Sequence, residues 1–362
     1  MKILTGLDLP WGSPGGSVEL LKDLYLVPDG PLSASDAFML APDGVPAPAG
    51  TGLPALLDVP GKQLDGEGFW SYVDRLTDAL TTRFPPADQD VVHLQHLAFG
   101  ATPALLRGYP KQPAIALVHG TDLLFAADHP TQADVLREAT AAARAVVVPT
   151  AAMADQLRLL APVAPDRVVH IPWGIPDRLL DRPPVRPARR DGDLRVLYAG
   201  RLTAEKGAAA LVRAVSGTPG VRLSMAAPTA EFRRLSRVLD LSAARYLGWL
   251  SRPDLWAAFA EHDLLVIPSA RLEAFGLTAV EAQACGLPVA YQPVPGLTDA
   301  LGDSALPLDI LAAPDRARET LAGLAADRSV LDDLRAAGHR NAALFPLSRT
   351  ARELAALSAR LG

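Results

Sequence analysis

Short apolar runs recur along almost the whole chain: "KILTGL", "AFML", "VVHLQ", "AIALVHG", "AVVVPT" and "RVVHIPWG", then "LRVLYAG", "RLSMAA", "RYLGW", "DLLVIPS" and "LPVAY". Between most of them lie longer stretches with apolar spacing near 3.6, such as "GAAALVRAVSG" and "SRPDLWAAFAEH". Continuous rather than alternating apolar runs, separated by amphipathic helices, are the pattern of parallel strands buried on both faces. The pattern predicts a doubly wound α/β architecture, with strands enough for two sheets. The proline- and arginine-dense stretch 177–193 has no usable period and is expected to link a first domain, 1–176, to a second, 194–345. Residues 41–66, rich in proline and glycine, are expected to form a long excursion within the first domain, and no internal repeat is visible.

Composition narrows the class of protein. At 362 residues the chain is long enough for two domains with separate cores. A formal net charge of −5 provides no basic footprint for nucleic acid. No apolar run approaches the roughly 18 residues of a membrane span, and "MKILTGLDLPWG" enters a strand without a signal-peptide core. The expected location is the cytoplasm. The single cysteine, Cys285, permits no intrachain disulfide and reads as a small buried hydrophobe.

Two doubly wound domains are expected to leave a cleft at the carboxyl ends of their strands, so chemistry should gather at strand-to-helix turns. Four turns carry it. In "GLDLPWGSPGGSVELLKDL", Gly12, Gly15 and Gly16 precede a helix and suit either a tight turn or backbone N–H contacts to an anion; the spacing is neither a dinucleotide fingerprint nor a Walker loop. In "LYAGRLTAEKG", Arg201 and Lys206 flank a helix start and could neutralise a diphosphate, or Thr203 could simply cap a solvated turn. In "ALVHGTDLL", His119 ends a strand at its carboxyl edge, as a structural group or as a ligand to a hydroxyl. In "PSARLEAFGLTAVEAQACGLPVA", Glu273 precedes a helix and Glu281 lies about a turn inside it, eight residues on. Two carboxylates so placed can accept from two separate diols, while the N–H groups of Ala274, Phe275, Gly276 and Leu277 face an anion between them. Glu281 is flanked by "LTAV" and "AQAC", a poor setting for a merely solvated charge.

The order and spacing of "AGRLTAEKG", "LGWLSRPDLWAAFAEHDLLVIPS", "EAFGLTAVEAQACGLPVA", "HIPWG" and the N-terminal glycine pair resemble the family 4 retaining glycosyltransferases of the GT-B fold, over nearly the whole chain. The resemblance implies two Rossmann-like domains, the first on the acceptor side and the second on the donor side. It implies that Arg201 and Lys206 neutralise the nucleotide diphosphate, that Glu281 holds ribose hydroxyls and Glu273 donor-sugar hydroxyls. His119 would lie near the reacting carbon, Gly15 and Gly16 at the phosphate and acceptor, and the closing helix of 346–362 back on domain one. The donor, a UDP-sugar by preference, is a substrate, so no cofactor is expected. The acceptor is expected to be a small molecule, natural products included, and the oligomeric state is left unspecified.

The chain also departs from the family pattern. The glycine-rich turn after the second strand of domain two appears as "SMAAPTAEF", the usual asparagine of the "IPWG" turn is Trp173, and "QPVPGLTDALGD" replaces a glycine pair followed by an acidic residue. Two D-x-D triplets, Asp88 to Asp90 and Asp191 to Asp193, precede strands and are read as coincidence rather than as a metal site. An epimerase or phosphorylase on the same fold, a glycolipid- or polysaccharide-forming transferase, and a two-lobed sugar-binding protein are the alternative readings.

Overall fold

A computed structural model describes residues 1–42, 52–187 and 192–362. The chain divides into two compact units, Met1–Trp173 with Leu347–Gly362, and Gly174–Pro346.

Among the described residues the first unit holds seven parallel strands: β1 (Ile3–Pro10), β2 (Asp36–Leu40), β3 (Ala55–Leu57), β4 (Val91–Gln95), β5 (Ala114–Leu117), β6 (Ala145–Val148) and β7 (Val168–His170), in the order β3-β2-β1-β4-β5-β6-β7. Its helices are α1 (Gly16–Tyr25), α2 (Gly68–Arg83), α3 (Ala101–Gly108), α4 (Thr121–Asp128), α5 (Pro130–Ala142) and α6 (Ala151–Leu160). The second unit begins with α7 (Asp177–Asp181) and has, among the described residues, six parallel strands: β8 (Leu194–Ala199), β9 (Val221–Ala226), β10 (Arg245–Gly248), β11 (Leu264–Ile267), β12 (Val289–Tyr291) and β13 (Leu306–Pro307), in the order β10-β9-β8-β11-β12-β13. Its helices continue with α8 (Ala208–Val215), α9 (Thr229–Leu235), α10 (Arg252–Glu261), α11 (Leu277–Ala284), α12 (Leu297–Leu301), α13 (Pro314–Ala326) and α14 (Ser329–Ala342). The last helix, α15 (Leu347–Leu361), belongs to the first unit.

The apolar runs are strands because they bury both faces: β4, β5, β6 and β12 have no exposed position. In each sheet the strand order reverses once, between β1 and β4 and between β8 and β11. Such switch points leave a crevice outside the carboxyl ends of the two strands.

Two expectations change. Residues 177–187 do not hang free as a linker: α7 buries Leu179, and the Arg186 guanidinium donates to the carbonyls of Phe259 (2.7 Å) and His262 (2.6 Å), which ties the segment to the end of α10. The rest of that stretch, 188–191, lies outside the described residues, as do 43–51 of the expected excursion. The later part of the excursion contains a strand, because β3 pairs with β2 from Phe38↔Ala55 to Leu40↔Leu57. Among the described residues, no helix is long and apolar enough to cross a membrane.

Candidate functional site

At the switch point of the second unit, β8 and β11 end side by side, with Leu264 opposite Val196 and Leu265 opposite Leu197. Beyond β8 the chain turns through Gly200, Arg201 and Thr203 into a single 3₁₀ turn, Ala204–Lys206, and then into α8. Gly207 joins the two in the left-handed region, φ 65°, and a Cβ there would lie 1.8 Å from the Pro268 carbonyl oxygen. Only glycine lets the turn after β8 approach the end of β11 this closely. Gly296 repeats the device, φ 85°, where a Cβ would lie 1.7 Å from the Glu273 carbonyl oxygen. The Ala270 N–H donates to the Glu205 carbonyl (2.7 Å) and the Glu273 N–H to that of Pro295 (3.2 Å), so three loops are laced together by backbone.

This lacing brings Lys206 onto Glu273. The Lys206 ammonium donates to Glu273 Oε2 at 2.6 Å, and the buried Ser269 hydroxyl donates to the same oxygen at 3.0 Å. Glu273 Oε1 has no hydrogen-bond partner among the described residues. Arg201 differs from Lys206: its carbonyl accepts from the Tyr198 hydroxyl, while its guanidinium has no ion-pair or hydrogen-bond partner among the described residues. The Leu202 N–H beside it is held by Glu231 Oε2 of α9 at 2.5 Å. Tyr198 lies within the field of Glu273, Glu231 and Arg201; burial first, then the two carboxylates, pushes its hydroxyl pKa up. Glu205 titrates below the usual carboxylate range, held ionised first by its own N–H, then by the Thr203 hydroxyl, with Arg201 contributing.

Glu281 sits one turn into α11 and is 5% exposed. Its carboxylate is engaged from α10: Oε1 accepts from Arg252 Nε at 3.1 Å and from Arg252 Nη2, and Oε2 accepts from the Trp256 indole N–H at 2.9 Å. Ala274, Phe275, Gly276 and Leu277 form the entry to α11, with Gly276 at its N-cap and no side-chain cap. The N–H groups of the first turn of a helix have no intrahelical partner, so this end can receive an anion. Cys285 is buried just past α11, its thiol pKa pushed up to about 12 by burial.

In the first unit, His119 follows β5 at its carboxyl edge. Its Nε2 lies 2.6 Å from Gln95 Oε1, an acceptor, while the Gln95 amide group donates to Thr5 Oγ1 at 3.1 Å. The amide oxygen can only accept, so Nε2 carries the proton and Nδ1 keeps a lone pair. Burial pushes the His119 pKa down to about 4. The ring stacks on Trp173 (centroids 5.6 Å apart) and meets His96 edge-on at 5.2 Å. His96 itself is in the left-handed region, φ 52°, the kind of backbone strain that gathers at functional loops. Buried Asp122 accepts from the N–H groups of Leu97 (3.1 Å) and His119 (3.3 Å), fixing the loops after β4 and β5 to each other. Gly15 and Gly16 form the N-terminus of α1 beyond β1.

The structure therefore brings Lys206 to Glu273, sets Arg201 in the same turn, and holds Glu281 in a separate cluster on α10 and α11. Ser269, Glu231, Arg252, Trp256, Gln95 and Asp122 were not anticipated. Ser269 follows β11 directly and its place at a carboxyl edge was a usable signal; the others reach the site across the fold, 25 to 29 residues away in the case of the Glu281 partners. Asp88 and Asp90 lie before β4 at its amino end, where Asp90 accepts from the Lys2 N–H (2.6 Å), and Asp193 pairs with Arg222 before β8; Asp191 lies outside the described residues. Among the described residues, no group of three or more His, Cys, Asp or Glu is placed to hold a metal.

A family profile described as glycosyl transferases group 1 matches residues 184–326, and one described as Glycosyltransferase Family 4 matches residues 38–179. A D-inositol 3-phosphate glycosyltransferase of Catenulispora acidiphila is 32% identical over 307 residues, 75% of this chain and 72% of the relative. A glycogen synthase of Mycobacterium tuberculosis is 38% identical over 167 residues, 42% of this chain and 37% of the relative. Among solved structures, sucrose-phosphate synthase from Thermosynechococcus elongatus superposes with a TM-score of 0.82 at 18% identity, over 99% of this chain and 98% of the other. Anabaena HepE, solved with UDP and glucose, superposes with a TM-score of 0.76 at 17% identity over the whole of both chains.

Proposed function

Because the chain belongs to family 4 of the GT-B glycosyltransferases, we propose that it transfers a sugar, with retention, from a nucleoside-diphosphate sugar to a small-molecule acceptor. The observation that carries this reading is the pairing of Lys206 with Glu273 beside an Arg201 that lacks a carboxylate partner among the described residues. A cation left uncompensated at the carboxyl edge of a parallel sheet suits an anionic ligand, and a second cation one 3₁₀ turn away suits a diphosphate.

In this reading Arg201 and Lys206 take up the charge that develops on the departing diphosphate as the anomeric C–O bond breaks, together with the N–H groups of Phe275, Gly276 and Leu277 at the entry to α11. Glu273 keeps Oε1 for a hydroxyl of the transferred sugar, and Glu281 accepts from the ribose. Neutral His119 offers its Nδ1 lone pair to a substrate hydroxyl, and Gly15 and Gly16 offer N–H groups to an oxyanion. No metal is needed, since side chains and helix termini supply the positive charge. UDP-sugars are the first donors to test, in keeping with the UDP held by Anabaena HepE. Small polyols and their phosphates are the first acceptors, after the relatives named for D-inositol 3-phosphate, followed by natural products. A nucleotide-sugar donor is in keeping with a cytoplasmic reaction.

The test is thermal stabilisation by a panel of nucleotide sugars, where a donor at about 100 times its Kd adds about 2.7 kcal/mol. Turnover is then followed in EDTA, with the product's anomeric configuration assigned by NMR. Turnover should persist in EDTA with the donor's configuration kept. A strict Mn²⁺ or Mg²⁺ requirement, or an inverted product, would overturn the corresponding part of the proposal.

A further inference from the structure

The surroundings of Glu281 say more than that it meets a ribose. Arg252 and Trp256 are four residues apart on α10, so both project from one face of the helix toward α11. An ionised carboxylate has about four lone-pair positions. Arg252 fills both positions on Oε1 through Nε and Nη2, and the Trp256 N–H fills one on Oε2. One position is left, on Oε2.

The carboxylate is also prevented from turning to offer more. The Arg252 side chain is 11% exposed and that of Glu281 7%, so in a largely dry setting the guanidinium holds Oε1 while the Trp256 N–H holds Oε2, and the two together restrict rotation of the carboxylate. The Trp256 ring is flanked by the guanidinium groups of Arg178, from α7, and Arg252, at 5.3 and 5.5 Å from its centroid, which holds the indole N–H on its line to Oε2. A glutamate free of partners could grip a vicinal diol with both oxygens; this one cannot.

We infer that Glu281 accepts a hydrogen bond from only one of the two ribose hydroxyls, and that Trp256 and Arg252 are the positioning residues that impose this. The inference rests on the ribose assignment of Glu281 made above. Trp256 and Arg252 both donate to the Glu281 carboxylate, and it is through that carboxylate that they act.

The experiment is calorimetric titration of the full chain with UDP, 2′-deoxy-UDP and 3′-deoxy-UDP. One deoxy analogue should bind about tenfold more weakly than UDP, the loss of a single charge-assisted hydrogen bond, and the other should match UDP within about twofold. Trp256→Phe, which keeps the ring and removes the N–H, should bring the two deoxy analogues to within about threefold of each other, both weaker than UDP, because the released Oε2 position can then accept from the second hydroxyl. Arg252→Lys, which keeps the charge and loses the fork, is the second variant and should act in the same direction. Equal losses for both analogues in the parent chain overturn the single-hydroxyl inference. A preference that disappears in Glu281→Ala but survives both positioning variants overturns their role alone. Both analogues binding the parent chain as tightly as UDP overturns the ribose assignment itself, and no binding of UDP, GDP or ADP overturns the donor reading and this inference with it.

Discussion

At the scale of single residues, the two cations of the site are not equivalent. Lys206 is already paired with Glu273, whereas the Arg201 guanidinium makes no ion pair or hydrogen bond with a carboxylate among the described residues, Glu205 acting on it only through space. Arg201→Ala should therefore weaken UDP by roughly tenfold to a hundredfold, the range of one or two hydrogen bonds to a charged group. Lys206→Ala should cost less binding and more turnover, because it also releases Glu273. The two carboxylates should separate in the opposite sense: Glu273→Gln lowers the single-turnover rate more than UDP affinity, and Glu281→Gln lowers UDP affinity with little change in rate. Calorimetry and single-turnover kinetics measure both, and an Arg201→Ala chain with parental UDP affinity would remove the diphosphate assignment. The places of Arg201, Lys206, Glu273 and Glu281 at strand ends and helix starts were legible because their spacing is local. Their partners were not. Nothing in "SRPDLW" marks Arg252 and Trp256 as the neighbours of a glutamate on the next helix; that contact exists only once α10 and α11 have packed on the sheet.

At the scale of elements, the apolar runs marked eleven of the strands in the final sheets, and the two that escaped have physical reasons. β3 has three residues and β13 two, too short for any period, and both lie at a sheet edge where one neighbour suffices. The approach of the loops after β8 and β11 was equally hidden, since it depends on what a Cβ at Gly207 would strike. That approach is testable. Gly207→Ala places a side chain at φ 65° and 1.8 Å from the Pro268 oxygen, so the turn must move. A non-glycine residue in this region costs about 1–3 kcal/mol before the clash is counted. The denaturation midpoint should fall accordingly, and UDP affinity should fall with it because Lys206 precedes the displaced residue. A Gly207→Ala chain as stable as the parent and still binding UDP would show that the close approach is not needed.

At the scale of the whole molecule, the division into two units was legible from the supply of strands and from the change in composition near residue 177. The boundary itself falls at Trp173, because Leu179 and Arg186 are packed into the second unit. α15 is held to the first unit by its buried face, by the Thr350 hydroxyl on the Pro172 carbonyl (2.8 Å) and by a buried histidine. His93 of β4 donates from Nε2 to Ser358 Oγ of α15 at 2.8 Å, since the Ser358 O–H is itself given to the Leu354 carbonyl, and Nδ1 accepts from the Tyr25 hydroxyl of α1 at 2.7 Å. Protonation would put a second N–H opposite Tyr25 and a charge in the core, and burial accordingly pushes the His93 pKa from 6.5 down to about 3. Below pH 6.5 the unfolded chain takes up this proton and the native chain does not until about pH 3, so the unfolded state holds more protons and stability falls as pH falls through that window. One proton corresponds to a slope of about 1.4 kcal/mol per pH unit. His119 acts in the same direction over a narrower window, its pKa being lowered to about 4 rather than about 3. His93→Gln retains an amide donor and acceptor and cannot titrate. Its unfolding free energy at pH 7 should be lower than that of the parent, and its slope between pH 6 and pH 4 should be shallower by nearly one proton, both read from denaturant titrations across that range. An identical slope in the two chains would mean that the native state already admits a proton at His93.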